Sequence, residues 1–187
     1  MKYDEIWERA LPYQDKRDDE GHAQLTLGFA KKLLETEKGD PDIVIPAIIL
    51  HDIGWSQLPA DRRFAIFSGI PEVEKLKYRV EHQEEGAKLA RRILDDIGYP
   101  EDKIEGIVEI VSEHDTREGF LDINDGIVRD ADKLWRFSKT GINKDMERFG
   151  MSRDELISKR LRQIEEDGFF CTDSAKRIAK ESIQEAD

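Results

Sequence analysis

The chain has 187 residues, the size of one domain and long enough to bury a core. Charged residues make up 39% of it and the formal net charge is −12, so the surface repels polyanions and no nucleic-acid partner is expected; a small anionic substrate stays compatible, because a local cluster of Lys and Arg can override the global sign inside a pocket. The longest apolar stretch, 43–50, is interrupted by Pro46 and falls far short of the roughly 20 residues that span a bilayer, so no membrane helix is expected.

In chain order, the opening MKYDEIWERA carries neither the apolar core nor the small-residue cleavage site of a signal peptide, and its spacing predicts a short helix over 4–13. A second helix is expected over 18–37, stopped by Gly39 and Pro41, and a third over 41–52, with Pro41 in its first turn and Gly54 past its end. Residues 55–72, with Pro59, Gly69 and Pro71, read as a long loop containing at most a helical turn, and long loops in compact domains are often functional. Further helices are expected from 72 or 78 to 97, broken by GYPEDK, then over 101–114, 123–137, 152–166 and 174–185. The single cysteine, Cys171, excludes an intrachain disulfide and fits a reducing compartment, so a soluble cytoplasmic protein is expected. The fold class is all-α, one domain over 1–187, with a core at about 18–140 and the helices of 141–187 as an appendage. The oligomeric state is not legible.

The chain has four histidines, and each lies on the apolar stripe of its helix. His22 shares a face with Leu25, Phe29 and Leu33; His51 follows Ala47 and Ile48; His82 runs with Gly86, Leu89 and Ile93; His114 continues Ile107, Ile110 and Val111. Asp132 repeats the pattern with Val128 and Trp135. One inward histidine is ordinarily a hydrogen-bonded core residue. Four of four, with aspartates beside them, would leave polar groups desolvated at about 1–3 kcal/mol each. A divalent cation satisfies them together, with imidazole nitrogens as neutral ligands and carboxylates supplying charge. His51 and Asp52 are adjacent, so on a regular helix they diverge by about 100°, yet near a helix end both can reach one site, and Asp52 has two oxygens with which to bridge two ions.

His22, then His51-Asp52 within HDIG, then Asp132 resembles the H…HD…D signature of the HD-domain superfamily, and the resemblance spans about 18–140. It implies an all-α bundle with a metal site between core helices. A subset of that superfamily inserts two further histidines between HD and the last Asp and holds two metals; His82 and His114 stand in that order. The resemblance thus implies six ligands, His22, His51, Asp52, His82, His114 and Asp132, with Asp52 bridging the ions and orienting a metal-activated water. The alternative for His82 and His114 is that they line the pocket and touch substrate. Gly98-Tyr99-Pro100 spells a signature of the cyclic-dinucleotide phosphodiesterases, but there it follows the later histidines; here it precedes His114 and reads as a helix end.

The resemblance implies a metal-dependent phosphohydrolase acting on a phosphoester of a small molecule, a nucleotide or similar, with one or two ions drawn from Fe, Mn, Zn, Co or Ni. Cationic partners for the phosphate are expected among Lys133, Arg117, Arg136, Arg62 and Arg63, each of which has a solvated surface charge as its plain alternative. Glu81, Glu85, Glu113 and Asp115 neighbour the histidines as further acceptors or as helix surface; Trp55, Tyr78 and Trp135 are base-stacking or core rings. The rival reading is a mixed-valent di-iron oxygenase of the same fold, on a phosphonate- or inositol-type substrate. The inositol relatives carry a Lys shortly after HD, where this chain has Trp55 and Gln57. A non-catalytic ligand-binding module is the third class.

Overall fold

The computed structural model of the chain describes residues 2–17 and 19–186. The expected start of a helix and of the core at Asp18, and the two ends of the expected 1–187 domain, lie outside the described residues. Ten α-helices follow one another with no strand among the described residues: α1 (Lys2–Ala10), α2 (His22–Leu34), α3 (Pro41–Leu50), α4 (Ala60–Ala65), α5 (Glu72–Asp96), α6 (Glu101–Glu113), α7 (Ile123–Leu134), α8 (Lys139–Phe149), α9 (Arg153–Glu165) and α10 (Asp173–Ala186). The all-α class expected from periodicity is the one observed. No described helix is long and apolar enough to cross a membrane.

α3 is the axis of the bundle. Asp40 caps it by accepting from the Asp42 N–H, Pro41 fills its first turn, and Val44 to Leu50 are buried without interruption, as a helix apolar on all sides must be. Pro46 removes one backbone donor from the interior of this helix, leaving the Asp42 carbonyl without its usual partner. The Tyr99 hydroxyl donates to that carbonyl at 2.8 Å, so the GYP segment at the α5–α6 corner supplies what Pro46 lacks. Gly98 turns the corner at φ +63°.

Gly54 has a different role from the one its position past a helix end suggests. It lies in a 3-10 turn, Ile53–Gln57, packed on α5, and an added Cβ would fall 1.8 Å from the His82 carbonyl and 2.5 Å from the Gly86 nitrogen. The glycine lets two backbones touch.

Several elements differ from expectation, among them α1, which spans Lys2–Ala10 rather than 4–13, and α2, which ends at Leu34 rather than 37. α2 starts at His22, because the Asp15 carboxylate accepts from the Gly21 and Ala23 N–H groups and Gly21 sits at φ +81°. The 55–72 segment holds α4 in addition to the end of the 3-10 turn. α8 was not expected at all: its Gly141 lies under the Trp135 carbonyl, 2.1 Å from where a Cβ would stand, and the Ser138 hydroxyl caps the helix by accepting from the Gly141 N–H.

The C-terminal helices join the main core. Ala175, Ile178, Ala179 and Ile183 of α10 pack in the same cluster as α3 and α7, beside the smaller α8–α9 contact of Ile142 with Leu156. Asp130, fully buried on α7, pins this segment by accepting from the Cys171 N–H, the Thr172 N–H and the Thr172 hydroxyl at 2.8 to 2.9 Å.

Candidate metal centre

The six sequence-identified residues come from five elements. His22 opens α2, His51 and Asp52 follow α3, His82 lies within α5, His114 follows α6 and Asp132 lies on α7. All four imidazoles are buried. Their Nε2 atoms converge: His22 and His51 are 3.1 Å apart, His82 and His114 3.5 Å. Asp132 Oδ1 lies 3.2 Å from His22 Nε2 and 3.4 Å from His51 Nε2.

Asp52 stands between the two pairs. Its Oδ2 is 3.4 Å from His22 and 3.6 Å from His51, and its Oδ1 is 3.5 Å from both His82 and His114. Two sets with metal-binding composition result: His22, His51 and Asp132, and Asp52, His82 and His114, each with donor atoms within 4.8 Å of one another.

Backbone carbonyls orient the rings. His51 Nδ1 pairs with the Ile48 carbonyl at 2.8 Å, and His114 Nδ1 with the Val111 carbonyl at 2.9 Å, the same three-residue step back along the preceding helix. A carbonyl only accepts, so Nδ1 carries a proton and Nε2 is the ring atom that faces the centre. Lone pairs and carboxylates aimed at common points fit divalent ions, and this donor set suits zinc, manganese or iron alike.

The electrostatics follow. Burial works against charge on His51, but the Asp52 and Asp132 carboxylates outweigh it and push its pKa up to about 9. Burial likewise opposes ionisation of Asp52 and Asp132, yet Arg17 and His51 beside Asp52, and His22 and His51 beside Asp132, hold both carboxyls well below the usual range. His82 is pushed down by burial. Its ring stacks on Trp55 at 4.0 Å, and its Nδ1 has no hydrogen-bond partner.

Arg17 is a residue of the centre that sequence reasoning missed. Its guanidinium donates to Asp52 Oδ2, lies 3.4 Å from Asp19 Oδ2 and covers the Trp55 ring at 4.6 Å. Trp55 Nε1 donates to Asp52 Oδ1 at 3.0 Å, so both Asp52 oxygens are held by donors as well as facing imidazoles. Gln83, also unanticipated, ties α5 to the turn after α6: its carbonyl oxygen accepts from the Asp115 N–H at 2.7 Å and its amide donates to Thr116 at 2.9 Å.

A cavity of about 130 Å³ opens on the centre, lined by Asp52, Asp132 and His22 and by Arg17, Arg79, Arg136 and Arg148. Of the five cations singled out in the sequence, Arg136 lines it. Lys133 turns away and donates to the Phe169 carbonyl, Arg117 pairs with Glu113 at 2.8 Å, Arg62 pairs with Glu81 at 2.8 Å, and Arg63 is not among the lining residues. Of the neighbouring acids, Asp115 reaches the cavity, 4.0 Å from His82 Nε2; Glu81, Glu85 and Glu113 pair with Arg62, Lys88 and Arg117. Of the three rings, Trp55 stacks on His82, Trp135 sits edge-on to His22 at 5.3 Å, and Tyr78 lies 6.0 Å below Arg62.

No curated protein and no solved structure matches the chain. The family model of the HD domain matches residues 20–136, a span that begins two residues before His22 and contains all six converging side chains. With well over half of the sequence matched and its H…HD…D residues gathered in one centre, the chain belongs to the HD-domain family, whose members are characteristically metal-dependent phosphohydrolases.

Proposed function

We propose that the protein is a phosphohydrolase that holds two divalent ions, one by His22, His51 and Asp132, the other by His82 and His114, with Asp52 bridging them, and that it cleaves a phosphoester of a small anionic molecule. The carrying observation is the position of Asp52, one oxygen toward each histidine pair. When bound, such ions polarise a phosphoryl oxygen and lower the pKa of a coordinated water.

The chain's own groups do the rest. The carbonyls of Ile48 and Val111 hold the His51 and His114 rings in register, and Trp55 Nε1 holds the Asp52 carboxylate. Arg17, beside Asp52, presents a planar fork to phosphoryl oxygens, the geometry that suits guanidinium to phosphate. Asp115, on the cavity wall, lies 4.0 Å from His82 Nε2.

Purification without added metal, followed by metal analysis and assay on generic phosphomonoesters, tests this reading. Manganese, zinc or cobalt with turnover is expected. Two irons with a mixed-valent EPR signal and no phosphatase activity would assign the centre to oxygen chemistry instead.

A further inference from the structure

We infer that the substrate is a compact organophosphate carrying a second anionic group on a short carbon body, and that nucleotides are excluded. The inference rests on the phosphohydrolase reading and narrows it.

Size comes first. The cavity of about 130 Å³ is well below the roughly 300–1,000 Å³ of pockets that enclose drug-sized ligands, the class to which a nucleotide belongs.

Cations lie over the rings that line the cavity, although Phe149 keeps an exposed face. Arg148 lies 4.2 Å over Phe67 and 5.6 Å over Trp135, and Lys159 lies 5.9 Å over Phe149. Trp55 is stacked on His82 and capped by Arg17. A purine or pyrimidine stacking on Phe67 or Trp135 would have to displace Arg148 from the ring face.

Charge then selects the second group. Five aspartates line the cavity, and four are already committed. Asp52 and Asp132 belong to the metal sets, Asp19 sits on Arg17, and Asp145 is bound by the buried Arg160, which lies outside the lining, and approached by Arg148 at 3.8 Å. The fifth, Asp115, lies 4.0 Å from His82 Nε2, and Arg79 and Arg136 share the lining with it. The lining carries four arginines against five aspartates, so two divalent ions would bring its charge to about +3, more than one phosphoryl dianion neutralises. A carboxylate or second phosphate, two to four carbons from the ester, fits the arginine end while the phosphoryl group sits against the metals and Arg17.

The reaction is a hydrolysis: the oxygen of water bonds to phosphorus as the ester P–O bond breaks, giving inorganic phosphate and an alcohol that keeps its second anionic group. The test compares 3-phosphoglycerate, glycerol 3-phosphate and adenosine monophosphate on the metal-loaded protein, by kcat/KM and by calorimetric binding. 3-Phosphoglycerate should exceed glycerol 3-phosphate by about 10- to 100-fold, the worth of a charge-assisted contact, and adenosine monophosphate should be poorest. Arg136→Met, at an exposed position where folding is not at stake, and Arg79→Met should each draw the phosphoglycerate-to-glycerol-phosphate ratio toward one. Equal or better turnover of glycerol 3-phosphate or of the nucleotide overturns the substrate class and leaves the phosphohydrolase standing. Binding of 3-phosphoglycerate that is lost in Arg136→Met, with none of the three esters hydrolysed, overturns the hydrolase and supports the second-anion site. Neither binding nor turnover overturns both.

Discussion

Gly54 and Gly86 meet backbone to backbone, with the Gly86 nitrogen 2.5 Å from where a Gly54 Cβ would stand. The contact locks the turn after Asp52 onto α5 four residues from His82, so the spacing between the two histidine pairs depends on an absent side chain. Gly54→Ala would drive a methyl into the His82 carbonyl, which belongs to a helix and cannot yield. Destabilisation of about 3 kcal/mol or more is expected, the upper end for overpacking, read by chemical denaturation. Gly86→Ala, whose Cβ would meet nothing nearer than 3.4 Å, should cost far less.

The link from Tyr99 to Pro46 is testable as a cycle. Tyr99→Phe should cost about 1–2 kcal/mol, because the Asp42 carbonyl then loses its donor. In a Pro46→Ala background the restored N–H can bond that carbonyl within the helix, and the same change should cost measurably less. Equal costs in both backgrounds would separate the two residues.

Cys171 reports on the docking of the C-terminal helices. Burial, then the Asp130 charge, push its thiol from the ordinary 9.0 up to about 11. A raised thiol pKa means less thiolate at neutral pH, by about 100-fold. Iodoacetamide should therefore alkylate the native protein slowly at pH 8, with the rate still climbing beyond pH 10. Asp130→Asn, which removes the charge and weakens the pin on Cys171 and Thr172, should raise the rate at pH 8. A native rate like that of a free thiol would contradict the buried setting.

How much was readable in advance depended on periodicity. His22, His82 and Asp132 lie within or at the start of regular helices, and the 3.6-residue repeat turns them inward together with their apolar neighbours. Arg17 follows no period. It sits in the charge run QDKRDDE, and its inward turn is decided by Asp52 and Trp55, more than thirty residues away. Lys133 misled in the opposite sense. It adjoins Asp132 in sequence, but successive helix residues diverge by about 100°, and it faces Phe169. Arg148 and Asp145 were out of reach because their helix, α8, was not expected, and its Gly141 is set by the close Trp135 carbonyl, a contact made by the fold.

The proposed bridging of two ions by Asp52 is tested most directly by metal stoichiometry. Elemental analysis of wild-type protein, His82→Ala and His114→Ala, with folding verified by circular dichroism, should give two ions per chain falling toward one in each variant, since the set of His22, His51 and Asp132 stays whole. A stoichiometry unchanged by both substitutions would contradict a second site shared through Asp52.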